Sequence, residues 1–264
     1  MTVPTNKGLA VITGASSGIG AVYADRFAKR GYDLLLIARD AVGLSEVADR
    51  LTAEAGCKVE TITADLTVKS ELQRVEDRLL SDVRIEVLVN CAGFGATAPL
   101  VSSNVDEMDA MIQVNVTALT RLTHAVLAGM LERASGTIIN IASIAAIIPE
   151  SLNGVYGGSK AYVVALTQSL HHEVGEKGIQ VQAVCPGATA TGFWSRAGLP
   201  VTSLPESIVM PVEEMVDAAL SGLDQHELVT FPALPQISEW ENYNSARLAM
   251  IPNLSRSHAA DRYK

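Results

Sequence analysis

Short runs of β-branched and aliphatic residues alternate with longer amphipathic stretches along almost the whole chain, and this rhythm constrains the fold most. The runs predict strands at 8–13, 33–38, 59–63, 87–90, 137–142, 180–184 and 228–231. Between them, helical patterns fill 19–30, 42–55, 68–81, 106–132, 155–175 and 211–226. Strict strand–helix alternation with right-handed crossovers implies a mostly parallel, doubly wound α/β sheet of about seven strands, with helices on both faces. Aromatic residues make up 5% of a chain that is 48% apolar, so the core is aliphatic. That suits parallel strands buried on both faces. No linker or repeat divides the 264 residues, and a single domain is expected. Two segments break the rhythm. Residues 188–210 are long for a strand–helix connection, and 232–264 form a tail containing Trp240 and Tyr243. Both are places for substrate or subunit contacts.

The formal net charge of −9 argues against nucleic acid and anionic membranes as partners. Any anionic ligand must then be gripped by local features against the global field. Cys57, Cys91 and Cys185 are scattered, so neither a disulfide framework nor a metal site is expected. No leader pattern opens the chain, and the longest apolar run, 137–149, is interrupted by Asn140 and Ser143. A cytoplasmic protein is the expectation.

Three groups of residues carry chemistry. Gly14, Ser16, Ser17, Gly18, Ile19 and Gly20 lie in a Gly-rich turn between the first strand and the first helix. Such a turn lets backbone N–H groups and the positive helix end approach a pyrophosphate. Tyr156 and Lys160 are four residues apart on a predicted helix, hence on one face. A cation at ~4 Å in an effective dielectric of ~20 stabilises a phenolate by up to about 4 kcal/mol, enough to bring it near pH ~7. Ser143 follows the fifth strand, at the carboxyl edge where ligands bind in doubly wound sheets. A hydroxyl there polarises a substrate carbonyl.

Together these residues resemble the short-chain dehydrogenase/reductase family, over roughly residues 8–231. The resemblance implies a Rossmann domain and an NAD(P)-dependent oxidoreductase in which Tyr156 is the general acid/base. It adds Asn90, Ala92 and Gly93 as an element beside the adenosine, and Asp65 and Leu66 as adenine contacts. Asn115 is implied as a fourth catalytic residue that holds a water next to Lys160. Pro186, Gly187, Thr189 and Thr191 form the loop implied at the nicotinamide end. Homodimers or homotetramers through the long helices at 106–132 and 155–175 are implied as well.

Arg39, directly after the second strand, sits where a ribose 2′-phosphate is expected and favours NADP(H) over NAD(H). Against it, Asp40 lies 20 positions after Gly20, near the spacing of an acid that grips a ribose diol. An NAD-dependent relative or a non-catalytic nucleotide sensor are the alternatives; an intact Ser143, Tyr156 and Lys160 set speaks against the sensor. Phe94, Ile144, Ile147, Phe193, Trp194 and Leu199 are candidates for an apolar substrate pocket, without naming the substrate. His124, His171 and His172 lack ligand spacing and read as structural or exposed.

Overall fold

The computed structural model describes residues 7–264. They divide into two compact units, the first ending at Pro232 and the second spanning Ala233–Lys264.

In the first unit, β1 (Leu9–Thr13), β2 (Asp33–Ala38), β3 (Val59–Thr63), β4 (Ile85–Asn90), β5 (Gly136–Ile141), β6 (Ile179–Val184) and β7 (Val229–Thr230) form one sheet. Its order is β3-β2-β1-β4-β5-β6-β7, and every pair is parallel. The chain winds outward from β1 to β3, then crosses back to β4 and winds the other way. The two halves meet between β1 and β4, and there the carboxyl ends open a crevice.

Alternation along each strand builds two cores. Ala10, Ile12, Leu34, Leu36, Val87 and Val89 face one side. They meet α1 (Gly18–Lys29), α2 (Ala41–Ala55) and α8 (Val212–Asp224) there. Leu9, Val11, Leu35, Ile37, Leu88 and Ile138 face the other side. Their partners are α3 (Lys69–Leu80), α5 (Leu119–Arg133) and α6 (Gly154–Val174). All five residues of β1 are buried, as a strand covered on both faces requires.

Where one long helix was expected over 106–132, the chain forms α4 (Val105–Ile112), a π-helical stretch Gln113–Ala118, and α5. Asn115 lies in that stretch, and its side chain pairs with the backbone of Phe94 in both directions: Phe94 N–H donates to Oδ1 at 3.2 Å and Nδ2 donates to Phe94 O at 3.0 Å. Hydrophobic periodicity does not register one wider turn. Such interruptions gather at functional sites.

The connection 188–210 also has structure of its own, a short helix α7 (Phe193–Arg196). It is pinned by Trp194 Nε1 donating to Thr189 O at 3.0 Å, and by Thr97 N–H and hydroxyl donating to Ala197 O at 3.2 and 2.9 Å. In the second unit, α9 (Ile237–Ala249) was not expected; none of its residues is buried, and Trp240 stacks on Tyr243 at 5.5 Å.

Candidate active site

A cleft of about 220 Å³ runs across the carboxyl ends of the strands. The Gly-rich turn, Arg39, Asp40, Asp65, Leu66, Ala92, Gly93, Phe94, Thr191 and Phe193 line it. The turn and the loop after β4 are locked together by Thr13, whose Oγ1 accepts from Cys91 and Ala92 N–H groups, both at 3.0 Å.

A Cβ on Gly20 would overlap the Gly14 carbonyl oxygen, so the turn closes only without one. The first turn of α1 carries no acid, and Ser17 at its cap places no side chain on the free N–H groups. These donors and the positive helix end are left for an anion. Backbone closure, free donors and flanking cations fit a dinucleotide phosphate.

At the far wall, Asp65 is held below the usual carboxylate range. Burial would raise it, but hydrogen bonds from Thr67 and the charge of Arg39 outweigh that. Asp40 is committed elsewhere, capping α2 by accepting from Gly43 N–H at 3.2 Å. Arg39 is exposed and has no ion pair among the described residues.

Behind the cleft lie the side chains expected to do chemistry. The Ser143 hydroxyl lies beside the Tyr156 phenol and accepts from Ala145 N–H at 3.1 Å. Lys160 Nζ donates to Ile141 O at 2.8 Å and sits 5.8 Å from the centre of the Tyr156 ring. Asn115 Nδ2 also donates to Ser159 Oγ at 3.0 Å, which ties the π-helical stretch to α6. A Cβ on Gly93 would lie 2.8 Å from Asn115 Oδ1 and 3.6 Å from Lys160 Nζ, so that glycine lets both approach the cleft floor.

The electrostatics correct one expectation. Burial pushes the Tyr156 phenol up to about 12, and the neighbouring Ser143 hydroxyl only partly opposes it. Burial likewise pulls Lys160 down to about 8, with Cys91 and Cys185 opposing. The estimate of a phenol near neutrality assumed a solvated pair. Tyr156 and Lys160 are both 6% exposed, and desolvation is the largest influence on each.

Other expected residues sit differently. Asn90 does not line the cleft: it is buried, and Nδ2 donates to Thr123 Oγ1 and Asn140 Oδ1 at 3.0 and 2.9 Å, while its Oδ1 has no partner among the described residues. Pro186 braces the loop by accepting from Ile144 N–H at 3.0 Å, and Gly187 faces open space. Thr189 is buried and its carbonyl is taken by Trp194, which is a strut and not a pocket wall. Phe193 packs on Tyr156 at 5.6 Å, and Ile144, Ile147 and Leu199 are half-buried. The three helical histidines are exposed.

Two residues escaped sequence reasoning. A Cβ on Gly95 would strike Phe193 Cζ at 2.6 Å and Tyr156 Cδ2 at 3.0 Å; the Gly93-Phe94-Gly95 spacing was its only signal. Arg196 lines the cleft from α7, and nothing in its sequence neighbourhood announces it.

A family model described as short chain dehydrogenase matches residues 8–199. A short-chain dehydrogenase from Sphingobium yanoikuyae, solved in complex with NADPH, is 46% identical with a TM-score of 0.94, covering 97% of this chain and 100% of that one. The bulky-bulky ketone specific alcohol dehydrogenase of Comamonas testosteroni is 44% identical with a TM-score of 0.90, covering 98% and 99%. An uncharacterized oxidoreductase of Staphylococcus epidermidis is 33% identical over 208 residues, 76% of this chain and 89% of that protein.

Proposed function

This chain belongs to the short-chain dehydrogenase/reductase family of oxidoreductases acting on CH–OH groups, and from that premise we propose that it uses NADP(H) to interconvert a ketone and a secondary alcohol, with Tyr156 as general acid and base. The observation that carries the reading is a buried phenol beside the Ser143 hydroxyl, with Lys160 next to it and a phosphate-accepting turn lining the cleft in front.

When bound, the reduced cofactor supplies the hydride; the protein supplies position and protons. Ser143 and Tyr156 hold the carbonyl oxygen between two hydroxyls. With its phenol pushed up to about 12, Tyr156 is fully protonated at neutral pH and ready to donate to the developing alkoxide. Lys160, charged below about 8, stabilises the phenolate left behind, and Ser159 and Asn115 connect that region to the π-helical stretch. In the oxidative direction the phenol must lose its proton before it can accept one from the alcohol.

Three features support NADP(H): Arg39 without a carboxylate partner, Asp40 consumed as a helix cap, and the NADPH complex of the 46%-identical relative. The surroundings of Tyr156 are apolar, with Met108, Met111, Ala145, Phe94, Leu152, Val155 and Phe193 packed together. That favours a ketone with bulky apolar substituents, in keeping with the substrate named for the Comamonas testosteroni enzyme. Three free cysteines suit a reducing compartment, the cytoplasm. Exposed hydroxyls on α5 and α6, Thr120 and Tyr162, pair at 2.7 Å on the helices proposed for assembly into dimers or tetramers.

The test is a panel of bulky ketones with NADPH and with NADH, run on the wild type and on Tyr156→Phe. The variant is expected to lose roughly 10³-fold in kcat while binding NADPH as before. Full turnover by Tyr156→Phe, or no turnover of any ketone by the wild type, overturns the assignment.

A further inference from the structure

The arginines of the first unit sort cleanly by partner. Arg26, Arg30, Arg50, Arg78, Arg84, Arg121 and Arg133 each pair with a carboxylate. Arg74 donates to the Thr63 carbonyl at 2.7 Å. Arg39 and Arg196 alone have neither an ion pair nor a side-chain hydrogen bond among the described residues, and both line the cleft. Among the arginines of the first unit, one left without a partner is the exception.

The two reach the cleft from opposite sides. Arg39 follows β2, on one side of β1, whereas Arg196 belongs to the connection after β6, beyond β4 and β5 on the other. Between them lies the anion-accepting end of α1. Thr191, at the start of the same connection, brings its methyl to within 3.3 Å of where a Cβ on Gly18 would stand. Thr191 Oγ1 then accepts from Phe193 N–H at 3.3 Å, starting the turn that carries Arg196. The backbone on either side of Arg196 is anchored, since Trp194 and Ala197 are buried, but its own side chain is exposed.

We propose that Arg196 is a positioning residue for the cofactor diphosphate, a second cation that the connection after β6 places beside the N-terminus of α1. The proposal rests on the nucleotide reading above and adds to it a division of labour. Arg39 reads the 2′-phosphate that distinguishes NADPH from NADH; Arg196 grips the diphosphate that both carry. A guanidinium opposite a phosphate group forms paired charge-assisted hydrogen bonds, which an ammonium reproduces only in part.

Calorimetric titration of wild type, Arg196→Ala and Arg196→Lys with NADPH, NADH and inorganic pyrophosphate tests this without turnover. The alanine variant is expected to weaken NADPH and NADH alike, by roughly tenfold, and to lose any pyrophosphate binding seen in the wild type. Lysine restores part of the affinity, and the loss shrinks at high salt. Unchanged affinity for both nucleotides in Arg196→Ala overturns the proposal and leaves the nucleotide reading intact. A loss confined to NADPH overturns it too, because Arg196 then reads the 2′-phosphate. A wild type that binds neither nucleotide removes both readings at once.

Discussion

The two ends of the cleft are built from different materials. At the nucleotide end the work falls to backbone: a turn that closes because Gly20 has no Cβ, N–H groups left open at α1, and exposed arginines at the margins. At the end proposed for chemistry, behind the cleft, it falls to side chains almost completely withdrawn from water, Ser143 at 7% exposure and Tyr156 and Lys160 at 6%. A backbone site tolerates charge because solvent and dipoles screen it. A buried site changes the proton affinity of whatever is placed in it. Binding and chemistry are therefore open to separate perturbation.

The sharpest way to test that separation is Lys160→Met. Turnover is expected to fall by about 10²–10³-fold, since the phenolate loses its counter-charge. Stability should move the other way. Lys160 has a pKa lowered from 10.5 to about 8, so the unfolded chain holds this proton more tightly than the folded one. Its charge thus destabilises the fold below pH 8, and stability rises with pH between about 8 and 10.5. Removing it should raise the melting temperature at pH 7, by a free energy on the order of 2–3 kcal/mol, and abolish that slope. A variant that is inactive and also less stable at pH 7 contradicts the burial argument.

Gly20→Ala strikes the other end. The added methyl must displace the Gly14 carbonyl, so NADPH affinity should drop by roughly 10–100-fold, together with a lower melting temperature. Turnover at saturating cofactor should suffer far less, and an equal loss in kcat would mean that the two ends are coupled. The smallest effect belongs to Arg39→Ala. Removing one exposed cation should raise the NADPH dissociation constant about tenfold, with NADH unchanged. An equal loss for NADH would assign Arg39 to a group that both nucleotides share.

How much of the site was readable follows the same divide. The Gly-rich turn, Arg39, Asp65 and Gly93 are contiguous with their strands, so locating a strand locates them, and all line the cleft. Tyr156 and Lys160 were readable as neighbours because a helix fixes their spacing. Their proton affinities were not, since those depend on what the rest of the chain excludes from around them. Asn90, at the end of β4, was read as a nucleotide contact from its position; its side-chain amide turns inward to Asn140 and Thr123, which no local pattern shows. Whether Asp40 or Arg39 meets the ribose was open from spacing alone; the capping bond to Gly43 weighs against the acid.

By itself, the sequence determined the order of strands and helices, the parallel sheet and the residues at each strand end, because hydrophobic period and turn chemistry act over a few neighbours. Tertiary structure alone decided that Arg196 comes to the cleft, that Trp194 is a strut, that a π-helical stretch carries Asn115, and that the Tyr156 phenol is pushed up to about 12. Each of those depends on contacts between segments far apart in the chain, and desolvation has no local signature.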